Sequence, residues 1–381
     1  MYYAHRIINV NPLKPVRQYG YLTQVNPVYQ CHDDLHARIA VLNDGHVTFI
    51  HVSLDSLGIP YSLQKEIEDS ISTVMLEPFK LIISATHTHY AGDPNVSSYY
   101  NQLKKQLTEA ILNIEPVYCE ELKCSYVSIP YEGIGKSRIT GHDARVLMGL
   151  LTVLADEKPV MRFIYHNVHP TIISEYLANW FSADWPGYVL NKLNSEGKLF
   201  NTYLQGPAGD ISTRFTRKDQ TYDSVRELGS RFLKKVRELE QMPVDYHQLS
   251  LTFTESEVKC HHEFNEIEFD ELPETFSERE RTSFMEGGII RHQLQEQPEK
   301  LADVLHITKV FLGETTLIFE PNELFSGYLD YINTDKDILV CYSNGYEAYV
   351  TPPNSKLLTY ETFTDTLTIE TKEELIEKLR N

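Results

Sequence analysis

The sequence predicts an α/β fold, a mixed sheet covered by helices. Three observations carry that expectation. Short β-branched and aliphatic runs recur along the chain, they alternate with segments whose apolar residues fall at helical spacing, and an apolar fraction of 41% over 381 residues supplies a sizeable core. The length suits one large domain or two of ordinary size, and the chain is read as one domain over residues 1–381.

Taken in order, "ARIAVL" (37–42) and "VTFIHVSL" (47–54) read as strands, followed by a helix at "SLQKEIEDSISTVM" (62–75). "FKLIIS" (79–84) is the next strand and "SSYYNQLKKQLTEAILNI" (97–114) the next helix. "PVMRFIYH" (159–166) is a strand, and "YDSVRELGSRFLKKVRELEQM" (222–242) a long amphipathic helix. Strands "ITKVFLG" (307–313), "TTLIFE" (315–320) and "DILVCY" (337–342) precede a terminal helix, "TKEELIEKLRN" (371–381). The stretch from Phe264 to Leu301 is far more polar than its surroundings, so roughly residues 260–300 are expected to form a peripheral insertion or a connection between lobes.

Charge narrows the partners. A formal net charge of -19 repels nucleic acid and anionic membrane surfaces, which leaves a small-molecule substrate as the expected partner. No apolar stretch approaches a membrane span, so no membrane insertion is expected. The start, "MYYAHRIINVNPLKPVRQYG", lacks the basic, apolar and small-residue regions of a signal peptide, and the expected compartment is the cytoplasm. Cysteines 31, 119, 124, 260 and 341 have no Cys-x-x-Cys spacing and read as free thiols.

Five strand exits bear chemically useful side chains. "LIISATHTHYAGDP" sets His87 and His89 after an apolar strand, and "MRFIYHNVHPTI" sets His166 and His169 after another. "TLIFEPNELFSGY" ends in Glu320 and Glu323, and "ILVCYSNGYEAYVTPP" in Tyr346 and Tyr349 around an Asn-Gly turn. "NTYLQGPAGDISTRF" ends in a loop with Asp210 and Ser212. Imidazole nitrogen and carboxylate oxygen are the usual ligands of a catalytic zinc, and two histidines with one glutamate from separate exits make such a set. No HExxH-type motif fixes that geometry locally, and the histidine pair also fits one ring bonded to backbone with the other facing solvent.

The ordered set of these stretches resembles the neutral (non-lysosomal) ceramidase family, its N-terminal catalytic domain and the shorter bacterial proteins like it. "THTHYAGDP" matches the family's "THTHSGP", "NVHPT" its "HP" after a strand, and "SADWPGY" its "SADFPGY"-like segment. "GDIST" matches "GDVSP", "PNE" matches "PGE", and "NGYEAYVTP" matches an "NGYxGYxP"-like segment; "DDLHARIAVLNDG" and "VSLDSLGI" add two more. The matches run in the family's order from about residue 30 to residue 350.

Carried over by position, the resemblance implies a Zn2+ site formed by His87, His169, Glu323 and Tyr349, with Tyr346 a packing neighbour. It implies His89 beside the metal, Ser212 near the activated water and Arg138 as a substrate contact. Asp210 and Asp184 orient ligands or serve as caps, and Asp55 borders the site or caps the following helix. The implied reaction is metal-assisted hydrolysis of an amide, with His89 or Ser212 delivering the proton or stabilising the oxyanion, or with Ser212 as nucleophile. Tyr90-Ala91-Gly92-Asp93-Pro94 replaces the family's Ser-Gly-Pro, and together with the acidic charge this favours a small N-acylated compound over membrane ceramide. Ester or phosphoester hydrolysis at the same zinc site, and non-catalytic ligand binding by the same fold, are the alternatives.

Overall fold

The computed structural model describes residues 1–20, 26–139, 141–173, 179–264 and 277–381. Three sheets form from the apolar runs, each from consecutive stretches of chain. In the first, β1 (Tyr2–Asn9), β2 (His36–Asn43), β3 (Thr48–Leu54) and β4 (Phe79–Ala85) lie in the order β4-β3-β2-β1, with Val117–Tyr118 on the far edge. The β1–β2 and β2–β3 pairs are antiparallel, whereas β3–β4 is parallel and needs the crossover helix α1 (Tyr61–Ser72). Leu63, Ile67 and Ile71 of α1, with Leu103 and Leu107 of α2 (Ser97–Leu112), are fully buried at helical spacing.

The second sheet repeats that plan. β5 (Leu122–Pro130), β6 (Leu147–Ala155) and β7 (Lys158–His166) pair antiparallel, and β8 (Phe200–Gln205) joins β7 in parallel after α3 (Asp184–Ser195). Its two faces serve different cores. Leu151, Phe163 and Leu204 join the core shared with the first sheet, whereas Met148, Leu150 and Ile164 pack with Trp185 and Leu190 of α3 and Val225 and Phe232 of α4 (Tyr222–Leu239). The third sheet comprises β9 (Leu251–Lys259), β10 (Val304–Leu312), β11 (Thr315–Phe319) and β12 (Asp337–Val340), with β11–β12 parallel. Ring contacts of Phe49 with Phe319 and of His51 with Phe163 and Phe319 tie the three sheets together.

Of the polar stretch, residues 265–276 lie outside the described residues, and α5 (Glu278–Glu296) begins in a capping box at Ser277. It packs near α6 (Tyr360–Thr364), with Phe284 stacked on Phe363, and α7 (Ile369–Arg380) closes the chain.

Each sheet thus contributes a parallel pair, and the ends of those strands are stitched to one another. Ala85 N donates to Tyr342 O, Cys341 N to Gln205 O, Gly206 N to His166 O, and Glu320 N to Val340 O, all between 2.9 and 3.0 Å. The exits of β4, β7, β8, β11 and β12 therefore meet at one place, where open α/β sheets hold their ligands.

Candidate metal centre

His87 leaves β4 in the left-handed region, with φ of 66°, a conformation unusual for a residue with a Cβ. The turn is held on both sides: Thr86 N donates to Leu54 O at 2.8 Å, and Thr88 Oγ1 donates to Ser182 O at 2.7 Å. The His87 ring stacks on Tyr342, with centroids 3.9 Å apart and planes 20° from parallel. It swings the imidazole toward the exit of β7, which delivers His169.

Three imidazoles are oriented in the same manner. His87 Nδ1 lies 2.8 Å from Leu57 O, His169 Nδ1 2.8 Å from Ala208 O, and His89 Nδ1 2.9 Å from Gly20 O. A carbonyl oxygen only accepts, so each Nδ1 carries the proton and each Nε2 a lone pair, in the neutral ring. Burial holds His169 and His89 below the ordinary histidine value, His89 further depressed by His87 and His169, which keeps both rings neutral.

These lone pairs converge. His87 Nε2 is 3.0 Å from His169 Nε2, and Glu323 Oε1 lies 2.8 Å from His169 Nε2 and 3.5 Å from His87 Nε2. In that neutral tautomer of both rings, Glu323 Oε1 has no hydrogen-bond donor there. Ligand atoms of His87, His89 and His169 all fall within 4.8 Å of one another. Buried acceptors facing each other without a proton repel, and a cation in their midst removes the repulsion. Backbone carbonyls that fix the tautomer are also the usual outer partners of metal-bound histidine. The residues therefore fit a divalent cation.

Glu323 opens a short strand, Glu323–Leu324, that pairs in parallel with Tyr349–Val350 so that Glu323 stands opposite Tyr349. Its other oxygen, Oε2, accepts from Tyr346 Oη at 3.1 Å. Tyr346 packs against the core as expected, and its hydroxyl in addition orients the carboxylate. The ring lies against Gly58, where an added Cβ would come within 2.2 Å of Tyr346 Cγ, so only glycine leaves it room. Tyr349 sits beside the guanidinium of Arg138, whose Cζ is 5.3 Å from its ring centroid. Burial pushes the Tyr349 phenol well above its ordinary value, with Arg138 pulling the other way, so without a cation it is neutral.

Among the other predicted residues, Arg138 stands next to one of the expected ligands, Tyr349. Arg138 Nη2 donates to Gly209 O at 2.6 Å and pairs with Glu361 Oε1 at 2.8 Å. Asp210 is buried in a network away from the imidazoles, accepting from Ser326 N at 2.7 Å and Ser326 Oγ at 2.8 Å, with His142 Nε2 at 3.0 Å. Ser212 lies in a two-residue strand opposite Lys136, and its hydroxyl accepts from Arg214 N at 3.2 Å. Asp184 accepts from Ile172 N, Ile173 N and Trp185 N, which ties the segment after His169 to the start of α3. Asp55 does not cap the following helix, whose N-cap is Pro60 without a side-chain bond; it pairs with the fully buried Arg38 at 2.9 Å and accepts from His36 N at 2.9 Å. His166 fills the second core between Trp185 and Phe232, its Nδ1 bonded to Leu147 O. Tyr342 and Glu361 were not singled out from the sequence: the first is hidden in an irregular turn, the second in a five-residue helix signalled only by its Thr359 capping box.

No family model matches the chain, and no curated protein matches it by sequence. Solved structures do match. A ceramidase complexed with C2 superposes with a TM-score of 0.75 at 14% identity, covering 100% of this chain and 74% of that one. The neutral ceramidase from Pseudomonas aeruginosa gives 0.74 at 15% identity, covering 100% and 73%. The chain has the neutral ceramidase fold. Among the described residues, no helix is long and apolar enough to cross a membrane.

Proposed function

We propose that the protein is a zinc-dependent hydrolase of a linear amide, cleaving a small N-acylated compound with a metal-activated water. The single observation that supports this most is the convergence of His87 Nε2, His169 Nε2 and Glu323 Oε1 within 3.5 Å of one another, beside a third carbonyl-oriented imidazole, His89. In this reading His87, His169, Glu323 and Tyr349 hold the ion. Bound there, it would supply Lewis acidity, lowering the pKa of water from about 16 to about 7 and polarising a carbonyl.

The remaining work falls to the chain's own groups. Burial keeps His89 neutral, so it can take a proton at Nε2 and return it to the departing amine. Arg138 presents guanidinium N–H groups to an acyl oxygen, and Tyr346 keeps Glu323 in place through its hydroxyl. Ser212 follows Ile211, whose carbonyl accepts from His169 N, and a metal-activated water makes a serine nucleophile unnecessary in this reading. The fold shared with ceramidases supports an amide as the bond cleaved.

The test is a substrate panel of matched N-acyl amines, esters and phosphoesters, assayed with and without chelator. Chelator-sensitive amide cleavage that is lost in His87→Ala and kept in Ser212→Ala is the expected result. Selective phosphoester cleavage, or turnover indifferent to chelator, would overturn the reading.

A further inference from the structure

Arg138 is a cation beside the ligand set, its Cζ 5.3 Å from the Tyr349 ring centroid, and it is tied to the same framework. Its backbone N donates to Asp210 O at 2.8 Å and its Nη2 to Gly209 O at 2.6 Å, in the loop whose Ala208 carbonyl fixes His169. Gly209 N in turn donates to Leu324 O, next to Glu323. The guanidinium therefore cannot move far from the centre. Left alone, such a group would be a receptor for carboxylates, which its planar fork matches.

It is not left alone. Glu361 Oε1 lies 2.8 Å from Nη2, and the two side chains are 9% and 20% exposed, so solvent screens the pair little. Glu361 is delivered by α6, whose start is fixed by reciprocal bonds between Thr359 and Thr362. Arg138 Nε is buried without a hydrogen-bond partner, which leaves an N–H for a neutral oxygen acceptor. The arrangement keeps the donor capacity of the arginine while cancelling its net charge.

We propose that Glu361 is a specificity-determining residue that sets the charge selectivity of the site: paired with Arg138, it disfavours acyl amides bearing a carboxylate beside the scissile bond relative to uncharged counterparts. The inference rests on the amide-hydrolase reading for its substrate, yet the charge argument stands on the ion pair itself. Glu361→Gln keeps the shape and a hydrogen-bond acceptor while releasing the positive charge.

The experiment compares N-lauroyl alaninol with N-lauroyl alanine, which differ only in hydroxymethyl against carboxylate. Wild type is expected to favour the alcohol in kcat/KM by about tenfold or more, and Glu361→Gln to bring the ratio to about one or reverse it, chiefly through KM of the acid. A second arm needs no turnover: calorimetric titration of N-lauroyl alanine into chelator-treated protein should give at least about tenfold tighter binding to Glu361→Gln than to wild type. Equal handling of both compounds by wild type, or a ratio and a binding constant unchanged in the variant, overturns the proposal. If wild type cleaves neither compound, the hydrolase reading fails while the calorimetric arm still decides the role of Glu361. Should Glu361→Gln not fold, Glu361→Ala replaces it, because it likewise releases the positive charge of Arg138: loss of the preference for the alcohol supports the proposal, and full retention of it overturns the proposal.

Discussion

Removing or supplying zinc should move the melting temperature by an amount that can be worked out beforehand. In the metal-free protein two imidazole nitrogens face each other at 3.0 Å and a carboxylate oxygen faces one of them at 2.8 Å. A ligand that binds only the folded state stabilises by about 2.7 kcal/mol at a free concentration 100 times its dissociation constant and by about 4.1 kcal/mol at 1,000 times. With unfolding entropy near 2.1 cal/mol/K per residue, the 381 residues give about 0.8 kcal/mol/K, so the rise is about 3 °C in the first case and 5 °C in the second. Scanning calorimetry on chelator-treated protein, then at stepped free zinc, reads this directly. Glu323→Gln sharpens the test. Its amide N–H can donate to His169 Nε2, so the metal-free variant should melt no lower than metal-free wild type, yet gain nothing from zinc. His87→Ala should also be insensitive. A wild type that does not respond, or variants that respond as fully as wild type, would refute the assembled centre.

Tyr346→Phe removes the hydroxyl that donates to Glu323 Oε2 and should weaken zinc about 10- to 100-fold by chelator competition, with little change in metal-free melting. Asp55→Ala strands the fully buried Arg38 guanidinium and should cost about 3–5 kcal/mol in denaturant unfolding, whereas replacing both partners by apolar residues should cost much less. Burial raises Glu320 to about 8, opposed by hydrogen bonds from Cys341 and Asn322. Because its folded value exceeds the unfolded one near 4.5, the stability it contributes is full below that unfolded value and is lost as pH rises through about 8. The denaturant midpoint should therefore fall more between pH 5 and pH 9 in wild type than in Glu320→Gln, and parallel curves would contradict the assignment.

What the sequence disclosed follows from where burial is complete. β4, β7 and β11 are short apolar runs ended by polar residues, so both the strands and their exits could be read, and the exits held His87, His169 and Glu323. Other elements were hidden for equally physical reasons. β6, "LMGLLTVLA", is buried on both faces and has no alternation to distinguish a strand from a core helix. β1 mixes His5 and Arg6 with apolar residues, and α3 carries Pro186 and Gly187 in its first turn, which breaks the helical pattern. At the site, the spacing of Tyr346 and Tyr349 after the Asn-Gly turn gave no means of telling which hydroxyl reaches Glu323. That depends on Gly58, far away in sequence, making room for one ring.

Backbone strain points to the same place as the side chains do. Six described non-glycine residues have positive φ: Asp156 and Glu157 form the tight turn between β6 and β7, and the other four are His87, Asp184, Tyr342 and Asn344. His87 and Tyr342 stack on each other at the centre, Asn344 N donates to Ile83 O in the strand that delivers His87, and Asp184 follows the Ser182 carbonyl that anchors Thr88. Each such residue costs on the order of 1–3 kcal/mol and persists only where its surroundings over-determine it. A fold indifferent to the geometry of His87 would relax by exchanging these residues for glycine or by opening the turns. Here the surrounding hydrogen bonds hold them in place, and what they secure is the direction of one imidazole toward two others and a carboxylate.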